Sequence, residues 1–170
     1  MNPQLIDAMT SSRKQDWGTP QAFFEYVQEH LNCTFTLDAC ASEHNFKVPY
    51  FYTEEINAFN QMPVGERIWM NPPYARSVQT KFVELAIEWS QHNVVWCLIP
   101  ARTDTKLFHD IIMPNAKRII FIKGRLQHEH ESGLQKGSAL MPQMLVQFDR
   151  LFPWKLRFET IEPTPKERGF

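Results

Sequence analysis

The chain has 170 residues, of which 43% are hydrophobic and 22% charged, enough to bury one core and too few for two ordinary domains. A formal charge of −1 and a pI near 6.6 exclude bulk electrostatic attraction to nucleic acid, though not a local basic surface. No stretch approaches the roughly 18 uninterrupted apolar residues of a membrane helix, and the N-terminus lacks the apolar core of a signal peptide, so the pattern predicts a soluble, cytoplasmic protein with no membrane partner.

Residues 1–15 are polar and aperiodic and read as a loose tail. In Asp16-Trp17-Gly18-Thr19-Pro20, Thr19 is placed as a helix N-cap and Pro20 as the first helical residue, with Phe23, Phe24, Val27 and Leu31 on one face of the helix that follows. Residues 34–38 form a short run of β-formers ending on an acid. Further strands are expected at 67–70, 94–99 and 118–122, whose near-continuous apolar character fits strands covered on both faces. Helical periodicity appears between them at about 77–91 and about 104–112. This alternation predicts an open α/β sheet. Past Gly124 the pattern is broken at Gly133, Gly137 and Pro142 before residues 144–148 resume as a strand, expected as a final antiparallel element. Alternation over 153–162 predicts one more edge strand, and residues 163–170 read as a frayed tail, leaving a single domain over 16–162.

The sharpest chemical feature is Asn71-Pro72-Pro73-Tyr74, directly after the strand ending at Met70, where ligands of an open α/β sheet are bound. Pro72 keeps Asn71 out of the helical region, and the two prolines stiffen the loop. An amino group on an aromatic ring is a poor nucleophile because its lone pair is delocalised. Two acceptors, the Asn71 side-chain oxygen and the Pro72 carbonyl, would draw that nitrogen toward tetrahedral geometry and free the lone pair to attack a sulfonium methyl, while Tyr74 stacks on the ring. A rigid turn with no chemistry is the alternative.

Weaker features accompany it. Asp38, Ala39 and Cys40 stand at the end of that first short strand, where an acid suits an ammonium and small residues allow close approach of a ligand; a turn-capping Asp remains open. The helix start at 16–20 suits a carboxylate, and Trp17 an adenine pocket, against an ordinary cap with a core tryptophan. Arg102 leaves another strand end as a phosphate or base contact, or as an ion-pair partner of Asp104. His128-Glu129-His130-Glu131 lacks the HExxH spacing and reads as a solvated loop, so no metal is assigned. Cys33, Cys40 and Cys97, without CxxC spacing, read as reduced thiols.

Asp-Trp-Gly-Thr-Pro, Leu-Asp-x-Cys-Ala-Ser, Trp-Met-Asn-Pro-Pro-Tyr, Leu-Ile-Pro-Ala-Arg-Thr-Asp-Thr and Gly-Arg-Leu, in this order over residues 16–150, resemble the phage-encoded DNA N6-adenine methyltransferases of the Dam family. The resemblance implies a class I methyltransferase (Rossmann-like) fold, mostly parallel with an antiparallel terminal hairpin, S-adenosylmethionine as cofactor and double-stranded DNA as partner. It implies cofactor contacts for Asp16, Trp17, Thr19, Pro20, Asp38, Ala39 and Cys40, and a ribose contact among Glu54, Glu55 and Asn57 after a second strand at 50–58. It makes Asn71, Pro72, Pro73 and Tyr74 catalytic, and Arg102 and Arg125 DNA contacts. No insertion is long enough for a separate recognition domain, so specificity either falls to short loops such as about 124–142 or is slight. The same acceptor pair also serves RNA bases, cytosine N4 and protein glutamine amides, and a noncatalytic nucleic-acid-binding protein could keep the fold; an oxidoreductase is disfavoured by the missing glycine fingerprint.

Overall fold

A computed structural model describes residues 17–130, 136–139, 141–151 and 155–163. The tail expected at 1–15 lies outside them, as does the one expected at 163–170 except for Pro163. A two-residue strand β1 (Trp17–Gly18) leads into helix α1 (Gln21–Leu31), with Pro20 at its N-cap and Asn32 closing it in the left-handed region at φ 48, a conformation asparagine tolerates. Thr19 is therefore not the cap it was expected to be. Strand β2 (Leu37–Asp38) is shorter than the run of β-formers that contains it.

The apolar runs then fold as strand β3 (Arg67–Met70), helix α2 (Arg76–Trp89) and strand β4 (Val94–Pro100). A wide helical turn over Leu107–Ile112 continues as Met113–Asn115 (together α3), where Pro114 lacks the amide a regular helix would use. Strands β5 (Arg118–Ile122), β6 (Gln127–His130), β7 (Lys136–Ser138), β8 (Gln143–Phe148) and β9 (Arg157–Ile161) complete the chain. The second strand expected at 50–58 is reduced to a bridge between Phe51 and Asp38, flanked by Asp38 N to Tyr50 O (3.0 Å) and Tyr52 N to Asp38 O (2.8 Å). The rest of that segment turns, with a short helical turn at Ala58–Asn60.

The result is a mixed α/β protein whose main sheet runs β2-β3-β4-β8-β5-β9. β2, β3 and β4 are parallel, β8 is antiparallel to both β4 and β5, and β9 is parallel to β5. The reversed strand expected at the end of the chain is thus inside the sheet, and β8 and β9 form no terminal hairpin. The reason is visible in β8 itself: all six of its residues are buried, which suits a position between two strands and not an edge. Because β4 and β5 point the same way, the carboxyl ends of every strand but β8 share one edge. β8 starts there, with Gln143 opposite Pro100.

A small second sheet runs β1-β6-β7, so His128, Glu129 and His130 of the segment expected as a loop are paired in a strand, while Glu131 lies outside the described residues. Alternation along the strands divides the core. Ile68 and Met70 of β3 join Val83, Ala86 and Trp89 of α2 on one face, while Trp69 joins Phe23, Phe24 and Val27 of α1 on the other. At the far edge, the Arg118 guanidinium grips Glu159 of β9 with two bonds (2.7 and 2.8 Å) and lies 5.3 Å over the Trp96 ring. Among the described residues, no helix is long and apolar enough to cross a membrane.

Trp69 is 1% exposed, and its ring meets those of Phe24 and Phe35 edge-on, each at 5.3 Å. Trp69→Ala should lower the free energy of unfolding in urea by about 3–5 kcal/mol, the cost of an emptied aromatic site that cannot collapse.

Candidate active site

Parallel pairing of β2 with β3 puts Asp38 opposite Trp69, so Ala39-Cys40 and Asn71-Pro72 leave the sheet side by side. Ala39 N continues the ladder to Trp69 O at 2.9 Å. Asp38 is 3% exposed, and its carboxylate accepts from two backbone amides of its own loop, Cys40 N at 3.2 Å and Lys47 N at 3.0 Å. Burial raises its pKa to about 6, while the two amides and the Lys47 charge pull the other way. Burial, then the neighbouring Asp38 and Cys97, push the Cys40 thiol up, so it stays neutral.

Asn71 is held at both ends of its side-chain amide. Its Nδ2 donates to the buried Thr19 Oγ1 at 3.1 Å, and its Oδ1 accepts from the Tyr74 hydroxyl at 3.2 Å. That hydroxyl in turn accepts from Nε2 of Gln143, a residue 2% exposed at the start of β8. Burial raises the Tyr74 pKa above the ordinary phenol value, so the group remains a neutral donor. Pro72 is buried and Pro73 half-buried between Asn71 and the start of α2.

One pocket gathers part of this set, and Pro20, Ala39, Pro72, Pro73, Tyr74 and Gln143 are not in its wall. Of the residues marked in the sequence, Thr19, Asp38, Cys40 and Asn71 line it together; Gly18, Asn45, Lys47 and Trp69 complete the wall. Asn45 and Lys47 were passed over because nothing in a polar loop marks which residues fold back. The only local signal is the spacing from Ser42 to Asn45, which closes a turn through Ser42 N to Asn45 Oδ1 at 2.7 Å. Gln143 was legible only as a polar residue opening an apolar strand.

Other marked residues lie elsewhere. Glu54 and Glu55 are exposed in a turn, and Asn57 caps the turn at Ala58–Asn60 by accepting from Phe59 N at 3.1 Å; none of the three lines the pocket. Asp16 lies outside the described residues, and Trp17 is described through its backbone, opposite His130. Arg102 is exposed just beyond β4, with Asp104 at 3.7 Å, the ion pair that was its alternative reading. Arg125 is exposed after Gly124, whose φ of 84 makes the turn out of β5, and its guanidinium donates to Ala139 O at 3.1 Å.

A mixed α/β sheet that brings a buried acid and an Asn-Pro-Pro-Tyr loop to neighbouring strand ends is consistent with a methyltransferase. Residues 7–162 match the family described as DNA N-6-adenine-methyltransferase (Dam), and the chain belongs to that family. A DNA N-6-adenine-methyltransferase of Haemophilus phage HP1 (strain HP1c1) is 39% identical over 147 residues, which cover 84% of this chain and 83% of that protein. A protein of the same description from Escherichia phage T1 is 34% identical over 115 residues, 66% of this chain and 47% of that protein.

With its folded pKa raised to about 6, Asp38 binds its proton more tightly in the native than in the unfolded chain. The stability this contributes is complete below the unfolded value of about 3.9 and is lost as pH rises through about 6. Relative to Asp38→Asn, the wild type should therefore lose on the order of 3 kcal/mol between about pH 4 and pH 7, measured by denaturant unfolding at a series of pH values.

Proposed function

We propose that this member of the Dam family transfers the methyl group of S-adenosylmethionine to N6 of adenine in double-stranded DNA. The observation that carries the reading is the meeting of Asn71 and Asp38 in one pocket at the carboxyl edge of the sheet. Parallel strands interrupted by one reversed strand support a class I, Rossmann-like methyltransferase, in a single domain over residues 16–162.

The donor set fits the cofactor. An α-amino acid carries an ammonium and a carboxylate, and the pocket offers the Asp38 carboxylate beside Lys47, with the Ala39-Cys40 backbone close by. Thr19, and with it Asp16, Trp17 and Pro20, are assigned to the same ligand. When bound, S-adenosylmethionine supplies a methyl group on a positively charged sulfur, an electrophile that needs no further activation.

The protein's part is to make the amino group a nucleophile. The target adenine must leave the helix stack to reach Asn71, which costs a few kcal/mol. Asn71 Oδ1 and the Pro72 carbonyl accept from the N6 amino group and concentrate its lone pair, and the Tyr74 ring stacks on the base. Transfer would join N6 to the methyl carbon as that carbon leaves the sulfur, and the nitrogen would then give up one proton to solvent. Arg102 and Arg125, exposed beyond the ends of β4 and β5, are assigned to DNA phosphates on the same edge.

Transfer of labelled methyl to unmethylated plasmid DNA, read by nucleoside mass spectrometry, tests the reaction. N6-methyladenosine from the wild type and a loss of at least ~10²-fold in Asn71→Ala are expected; no labelled adenine would overturn the reading. Calorimetry tests the pocket separately. S-adenosylhomocysteine should bind more tightly than methylthioadenosine, which lacks the amino-acid end, and Lys47→Met should shrink that preference by about tenfold, the worth of one charge-assisted contact.

A further inference from the structure

The Tyr74 hydroxyl is engaged twice, and both engagements bear on Asn71. It accepts from Gln143 Nε2 and donates to Asn71 Oδ1 at 3.2 Å. An amide nitrogen only donates and a phenol carries a single proton, so the bond from Gln143 leaves that proton to Asn71. Asn71 is pinned at its other end by Thr19, 3.1 Å from Nδ2. The chain Gln143–Tyr74–Asn71–Thr19 thus runs from β8 across the catalytic loop to the segment before α1.

Gln143 is anchored independently of that loop. It pairs with Pro100 in the sheet, its predecessor Pro142 accepts from Ala101 N at 2.8 Å, and it is 2% exposed. Its amide is therefore a fixed point from which the rest of the chain is oriented. The Tyr74 hydroxyl meanwhile holds the place at Asn71 Oδ1 that an incoming amino donor requires.

We propose that Gln143 is a positioning residue for methyl transfer: acting through the Tyr74 hydroxyl, it keeps the Asn71 side-chain oxygen turned toward the position the target amino group takes. The inference rests on the assignment of Asn71 and Tyr74 to the target adenine. Gln143 itself does not touch the base. The amino group displaces the hydroxyl from an oxygen that is already aimed, so little of the acceptor's reorganisation remains at the moment of reaction.

A double-mutant cycle separates this role from packing. Gln143→Met keeps the length of the side chain and removes the donor, and Tyr74→Phe keeps the ring and removes the link. Steady-state methylation of a DNA duplex and binding of S-adenosylhomocysteine are measured for each. Each single variant should lose about tenfold in kcat with cofactor affinity unchanged, and the double variant should be no slower than Tyr74→Phe alone. An equal loss from Gln143→Met with and without Tyr74→Phe, or no loss in kcat at all, would overturn the proposal. Gln143→Asn, which withdraws the same amide by one methylene, serves the cycle if the methionine variant does not fold. A wild type that methylates no DNA defeats the functional reading instead, and is told apart by that.

Discussion

The parallel register between β2 and β3 is the constraint on which the site depends. With Asp38 opposite Trp69, two loops that differ in every chemical respect are forced to leave the sheet within one residue of each other. One carries a buried acid and the other an asparagine followed by two prolines. The same register commits the side chains around them. Trp69 turns to the α1 face and Met70 to the α2 face, so the loop at Asn71 starts from a strand clamped on both sides. A slip of one residue would exchange those faces and bury the wrong set of groups.

Polar groups at this edge are satisfied by short, specific partners. Asp38 is kept by backbone amides of its own loop, and Asn71 by a hydroxyl on each side. Such an arrangement trades stability for readiness. A carboxyl this deeply buried resists ionisation, as its raised pKa records, yet it is already in position when an opposite charge arrives. Groups fixed before a ligand binds do not have to be ordered at its arrival.

Much of this was legible in the sequence because it is local. Residues 67–70 and 118–122 announce strands by their own apolar character, and Asn71-Pro72-Pro73-Tyr74 announces a rigid loop by its own stereochemistry. What escaped depends on partners distant in sequence. Residues 144–148 were expected to run antiparallel, as they do, but an apolar strand does not announce its neighbours, and nothing local placed it between β4 and β5. Residues 127–130 carry histidine and glutamate and look like a loop, yet backbone pairing with β1 and β7 makes them a strand. Thr19 has the composition of a helix cap, but the bond its hydroxyl makes is to Asn71, across the fold. Gln143 and Tyr74 meet only once the sheet has closed.

The pairing of β1 with β6 sets Trp17 against His130, residues more than a hundred positions apart in the chain. A chain emerging from the ribosome holds Asp38 and Asn71 early, but at that stage nothing exists to pair with residues 17–18, and Gln143 has not been made. The pocket wall that carries Gly18 and Thr19 is braced by the last third of the polypeptide. Contacts this far apart in sequence close late. The pocket wall at Gly18 and Thr19 is therefore completed only after residues 127–130 have been made, and not accumulated from the first strands onward.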